Sequence, residues 1–134
     1  MNSKIESRYL SDEKSRPMSG RKVFGKLVIA DGKAVFEKLN DAEFLKDCML
    51  KAADKGKLNV LATNIHRFEP QGITGILVLQ ESHFSIHTWP EHGYIAIDIF
   101  ACGNEGDPVV AVKEFSRLIG MTDGEVKIYD RGLL

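Results

Sequence analysis

The chain predicts an α+β two-layer sandwich: an antiparallel sheet with two helices on one face, dimerising through the other. Three observations carry this. Residues 94–102 alternate strictly, with Ile95, Ile97 and Ile99 on one side and Tyr94, Asp98 and Cys102 on the other. Two stretches, 40–56 and 107–120, place apolar residues at helical spacing instead. The runs follow one another as β-α-β-β-β-β-α-β, an order that favours antiparallel pairing with the helices gathered on one layer. The sheet face left without helices needs a cover, and a second copy of the chain supplies one.

Residues 1–19 are polar, mixed in charge and without apolar period, and read as a poorly ordered tail ahead of a single domain over 20–134. Val23, Phe24, Leu27, Val28 and Ile29 form a first strand that ends at the turn dipeptide Asp31-Gly32. Asn40 is a suitable N-cap, with Glu43 three residues on as in a capping box. Phe44, Leu45, Cys48, Met49 and Ala52 then give the helix its apolar face, and Gly56 is placed to end it. Residues 58–66 read as a second strand, and Pro70-Gln71-Gly72 breaks the chain. Residues 73–80 and 82–88 are β-rich, and 89–93 make a turn before the alternating strand. Asp107-Pro108 is a cap followed by proline at the first helical position. Val109, Val112, Phe115, Leu118 and Ile119 line that helix, Gly120 ends it, and 125–129 form a last strand.

Composition narrows the function classes. At 134 residues with a formal net charge of −1, the chain offers no electrostatic case for nucleic acid or an anionic membrane. No apolar stretch approaches the roughly 18 residues of a membrane span. The first twenty residues carry no apolar signal region. Two cysteines without a secretory context point to thiols in a reducing compartment, so the cytoplasm is expected.

The reactive side chains concentrate in residues 81–103, ESHFSIHTWPEHGYIAIDIFACG. His83 and His87 would suit a metal on a helix, but their neighbours favour strand, where four residues separate them by roughly 13 Å. No metal site is therefore expected, and either histidine has the alternative of an ordinary hydrogen-bonded strand residue. Ser82 lies in no G-x-S-x-G elbow, and no separate acidic partner stands out, so a conventional serine hydrolase is disfavoured. The remaining chemistry is intramolecular. Ser82 Oγ attacks the carbonyl of Glu81, a base removes the Ser82 α-proton, and β-elimination leaves a dehydroalanine that hydrolyses to a pyruvoyl group.

The run at 81–103, together with HRFEPQGITG at 66–75, closely resembles the prokaryotic S-adenosylmethionine decarboxylase proenzymes, small pyruvoyl-dependent enzymes of polyamine synthesis. The resemblance is strong over 58–107 and holds only in pattern outside it. It implies cleavage at Glu81–Ser82 into a β chain (1–81) and an α chain (82–134) capped by a pyruvoyl group made from Ser82. It also implies that His87 takes the α-proton during processing, that Thr74 assists by hydrogen bonding, and that Cys102 returns a proton to the substrate. Phe68 would stack on adenine and Glu91 would meet the ribose hydroxyls. Phe68 in the core, Glu91 in solvent and Cys102 as a small buried residue are the plainer alternatives, and Cys48 on its apolar helix face is core.

Ser82 and His87 are five residues apart and point to opposite faces of a regular strand. They would meet across a homodimer rather than within a chain, and the family is known for active sites shared between two subunits. The first strand departs from the family pattern. Lys22 and Lys26 stand where a histidine and a carboxylate are usual, and a lysine in the pocket would repel a sulfonium substrate. That leaves open an L-ornithine or L-arginine decarboxylase on the same scaffold, or a non-catalytic regulatory partner.

Overall fold

Residues 23–80, 82–102 and 106–133 are described by a computed structural model. The expected tail, Lys22 and Glu81 lie outside them. Six strands, β1 (Val23–Lys33), β2 (Val60–Arg67), β3 (Ile73–Leu79), β4 (Ser82–Trp89), β5 (Tyr94–Cys102) and β6 (Thr122–Leu133), form one sheet in the order β2-β3-β4-β5-β1-β6. Every neighbouring pair is antiparallel. The helices are α1 (Phe36–Leu39), α2 (Ala42–Lys55) and α3 (Pro108–Ile119), and a 3-10 turn spans Pro90–His92. The two-layer α+β sandwich is thus the architecture of the chain.

The core forms because the strand register aligns one parity of every central strand. Val28, Ile99, Phe84 and Leu77 lie in one transverse row, and Ala30, Ile97, Ile86 and Gly75 in the next. All the apolar side chains in these rows are buried. Against them pack Leu45, Met49 and Ala52 of α2 and Ala111, Val112, Phe115 and Ile119 of α3. The Phe84 and Phe115 rings meet edge to face at 5.6 Å, an anchor between sheet and helix. On the opposite face, Ile76 and Val78 are exposed, while Ile29 and Phe100 are half-buried.

Four local expectations change. β1 does not turn at Asp31-Gly32 but runs to Lys33 through a register shift, with Gly32 so close to Met121 that a Cβ there would collide with its side chain. The cap of α2 is Asp41, whose Oδ1 accepts from Phe44 N at 3.0 Å; the Asn40 side chain is turned elsewhere. A third helix, α1, is too short to show a period in sequence. The last strand also extends well beyond 125–129 at both ends, because pairing with β1 sustains it. Asp107, by contrast, caps α3 as expected, accepting from Val109 N and Val110 N, and Gly120 ends that helix at φ 68°.

Truncating Phe84 to Ala removes the ring that both layers share, and a loss of about 3–5 kcal/mol in denaturant unfolding is expected.

Candidate active site

One end of the central strands opens into a cleft of about 360 Å³ lined by Phe68, Gly72, Thr74, His87, Trp89 and Glu91, among others. Thr74 and His87 are register partners on β3 and β4, and both belong to the parity that faces away from the helices. Their side chains meet, Thr74 Oγ1 lying 3.0 Å from His87 Nδ1. This contact fixes the imidazole's rotation and leaves Nε2 as the nitrogen available for proton transfer. Phe68 is about half exposed at the rim, its ring edge-on to His66 at 4.4 Å. Glu91 stands exposed in the 3-10 turn after Trp89.

The floor of the cleft is tied to the helical layer. Thr88 is buried and its hydroxyl does two jobs, accepting from Ile73 N at 2.9 Å and donating to Leu39 O at 2.8 Å. Asn40 Oδ1 accepts from Gly72 N at 3.1 Å. Gly72 has φ +107°, which a side chain would strain, so the turn after Pro70 requires glycine there. Phe68 N donates to Gly72 O at 2.9 Å and closes the loop that carries the aromatic ring. Burial, reinforced by the Asp47 carboxylate, pushes the Cys48 thiol up, as suits a core residue.

Ser82 and Cys102 occupy the other end of the same strands. Ser82 pairs with Leu79 at the start of β4, five residues and about 16 Å along the strand from His87. Cys102 ends β5, half-buried, on the same open face as His87. Of the residues singled out in sequence, the fold therefore gathers Phe68, Thr74, His87 and Glu91 in one cleft and places Ser82 and Cys102 apart from them. Lys26 pairs with Ala101, so it belongs to the helix-side parity and not to the open face.

The family model described as S-adenosylmethionine decarboxylase matches residues 26–132. The chain belongs to the S-adenosylmethionine decarboxylase family. Among its relatives is a protein of Pseudomonas aeruginosa named S-adenosylmethionine decarboxylase proenzyme, 39% identical over 112 residues, covering 83% of this chain and 70% of that one. A proenzyme of the same name from Symbiobacterium thermophilum is 46% identical over 98 residues, covering 72% and 74%. The crystal structure of adenosylmethionine decarboxylase from Aquifex aeolicus superposes with a TM-score of 0.79 at 26% identity, covering 84% of this chain and 94% of that one. The match of fold and the match of sequence thus agree on the decarboxylase family.

Sequence reasoning missed the supporting residues. Thr88, Asn40 and Gly72 act through backbone groups brought from far along the chain, which no local pattern announces. The alternation of β5 places Tyr94 on one side of the strand but does not announce its partners: its hydroxyl donates to Asp31 on β1, and its ring stacks against Trp89 at 5.2 Å. The bond to Asp31, followed by burial, raises the Tyr94 phenol to about 12. The neutral phenol is the form the fold favours. Its contribution to stability is complete below the unfolded value of about 10 and is lost as pH rises through about 12. Asp31→Asn is expected to bring one of the three tyrosines down toward about 10 in a phenolate absorbance titration.

Proposed function

We propose that the chain is a self-processing, pyruvoyl-dependent decarboxylase that converts S-adenosylmethionine to its decarboxylated form and CO2. Such a product serves polyamine synthesis, and the expected compartment is the cytoplasm. The observation that carries the reading is the Thr74–His87 contact inside a cleft walled by Phe68 and Glu91, in a chain of this family.

The residues fit a prosthetic group made from Ser82. It begins β4 directly after the proposed scission point, so the cut would leave residue 82 as a chain end on a central strand. During processing Ser82 Oγ attacks the Glu81 carbonyl and the C–N bond breaks, giving an ester and a free amine. His87 takes the Ser82 α-proton, the Glu81 carboxylate leaves by β-elimination, and water releases ammonia. A pyruvoyl carbonyl supplies an electron sink for the electrons freed when a bound α-amino acid loses CO2. Phe68 would stack the adenine, Glu91 would accept from the ribose hydroxyls, and the Cys102 thiol would deliver a proton to the substrate α-carbon.

The site is read as shared between two copies. Ser82 and Cys102 sit at one end of the strands and the His87 cleft at the other. A two-fold axis lying between two stacked open faces, perpendicular to the strands, reverses strand direction and lays one end of each copy over the opposite end of its partner. Ile76 and Val78, 39% and 45% exposed on that face, would be covered in the process. Two composite sites per homodimer follow.

Intact mass of purified protein should show fragments 1–81 and 82–134, with carbonyl reactivity on the second, and Ser82→Ala should remain whole. CO2 release should occur with S-adenosylmethionine; turnover confined to ornithine or arginine would overturn the substrate assignment. Mixing Ser82→Ala with His87→Ala chains should restore one site in a mixed dimer, and failure to complement would argue against sharing. Thr74→Val is expected to slow maturation by on the order of tenfold or more, as loss of an orienting hydrogen bond does, with Thr74→Ser close to wild type.

A further inference from the structure

The register places Ser82 in a transverse row that the proposed mechanism leaves unused. Leu79 pairs with Ser82, and one step beyond the His83–Phe100 pair puts Ser82 opposite Ala101. Ala101 pairs with Lys26, and Lys26 with Asp130. Leu79, Ser82, Ala101, Lys26 and Asp130 therefore share the helix-side face across five strands. In that row the residue between the serine and the lysine is Ala101, which is buried.

Distance arithmetic makes the pair relevant. Two strand spacings put the Ser82 and Lys26 backbones about 10 Å apart. A strand side chain rises from the sheet before it can lean sideways, so a lysine of roughly 6 Å leaning across Ala101 can carry its ammonium to within about 5–6 Å of residue 82, where a charge interaction in a partly buried site is still substantial. Among the described residues no hydrogen bond or ion pair engages Lys26, which is half-buried. Its cross-strand neighbour Asp130 has Oδ1 shielded from solvent and without a hydrogen-bond partner. A carboxylate beside the amine offsets the cost of a half-buried cation, and the amine is not consumed in pairing with that oxygen.

We propose that Lys26 is the electrostatic activator of self-cleavage, a cation directed at Ser82 in the uncut chain. The proposal rests on the self-processing reading above. In the acyl shift the Ser82 hydroxyl gives up its proton, a C–O bond forms to the preceding carbonyl, and negative charge gathers at the serine and the new tetrahedral centre. Collapse breaks the C–N bond, the nitrogen takes up a proton, and an ester remains. Lys26 stabilises the charged stage without exchanging a bond. The arrangement divides the labour by face: Ser82 Cβ points to the helix side with Lys26, so the α-hydrogen is left to the side from which His87 of a second copy acts.

The test is the maturation rate of freshly synthesised full-length chain, followed by intact mass. Lys26→Met should slow conversion by at least about tenfold, below the 10²–10³ of a dedicated oxyanion donor because the cation acts through space. Lys26→Arg should stay within about threefold of wild type, since it keeps the charge. Hydroxylamine, which cuts esters, should yield little scission at 81–82 in Lys26→Met, because the ester itself fails to form. Lys26→Gln and thermal melts of each uncut chain separate this from misfolding: a slow variant that melts like Ser82→Ala supports the role. Wild-type rates in Lys26→Met and Lys26→Gln, an ester that accumulates in them, slow maturation that Lys26→Arg does not rescue, or slowing only in variants with lowered melting overturns it. A wild-type chain that never cuts defeats the self-processing reading instead, so the two failures are distinct.

Discussion

The hydrogen-bonded position of β4 between β3 and β5 governs the rest of the molecule. Held on both sides, β4 cannot slip by one residue without moving Phe84, Ile86 and Thr88 out of the core and His87 into it. The same ladder that buries these side chains therefore aims His87 at Thr74. It also sends Ser82 to the other face at the far end. Packing and chemistry are one constraint here, because both are consequences of a two-residue period on a strand with two neighbours.

The cleft inherits its rigidity from the helical layer. A sheet end would ordinarily fray, since its last pairs have partners on one side only. Here the Thr88 hydroxyl and the Asn40 amide bind Ile73, Leu39 and Gly72 backbone groups, so the loop bearing Phe68 is fastened to α1 and to the start of α2. A buried hydroxyl with both its donor and its acceptor satisfied costs little and defines one geometry. Removing it would strand an amide and a carbonyl in the interior, so the price of Thr88→Val falls on the fold as well as on the site.

Much of this was legible beforehand, for reasons visible residue by residue. The alternation of Tyr94 to Cys102 and the Asp107-Pro108 start are local signals, and each reappears at the predicted position. The residues of the His87 cleft were legible only through the family resemblance; what the fold adds is that Thr74, His87 and Glu91 fall on consecutive elements of a meander, which brings them to one end of the sheet. Asp31-Gly32 misled because a turn dipeptide also suits a bulge, and only the β1–β6 register tells the two apart. Asn40 misled because two adjacent residues could each cap α2; the choice of Asp41 depends on Gly72, thirty-two residues away, claiming the Asn40 side chain. The Lys26 row needed four strand registers at once, which no window of sequence holds.

The strand order has a further consequence for a chain severed ahead of Ser82. Across the sheet, the two halves would alternate as first, first, second, second, first, second, because β1 returns from the amino-terminal half to lie between β5 and β6. Three ladders, β3 with β4, β5 with β1 and β1 with β6, would then stitch the pieces together. Neither half retains a complete sheet or its own helical cover, since α2 comes from one and α3 from the other. The broken backbone would behave as a woven article with one cut thread: the fragments share every layer and should unfold together, in a single transition, instead of drifting apart.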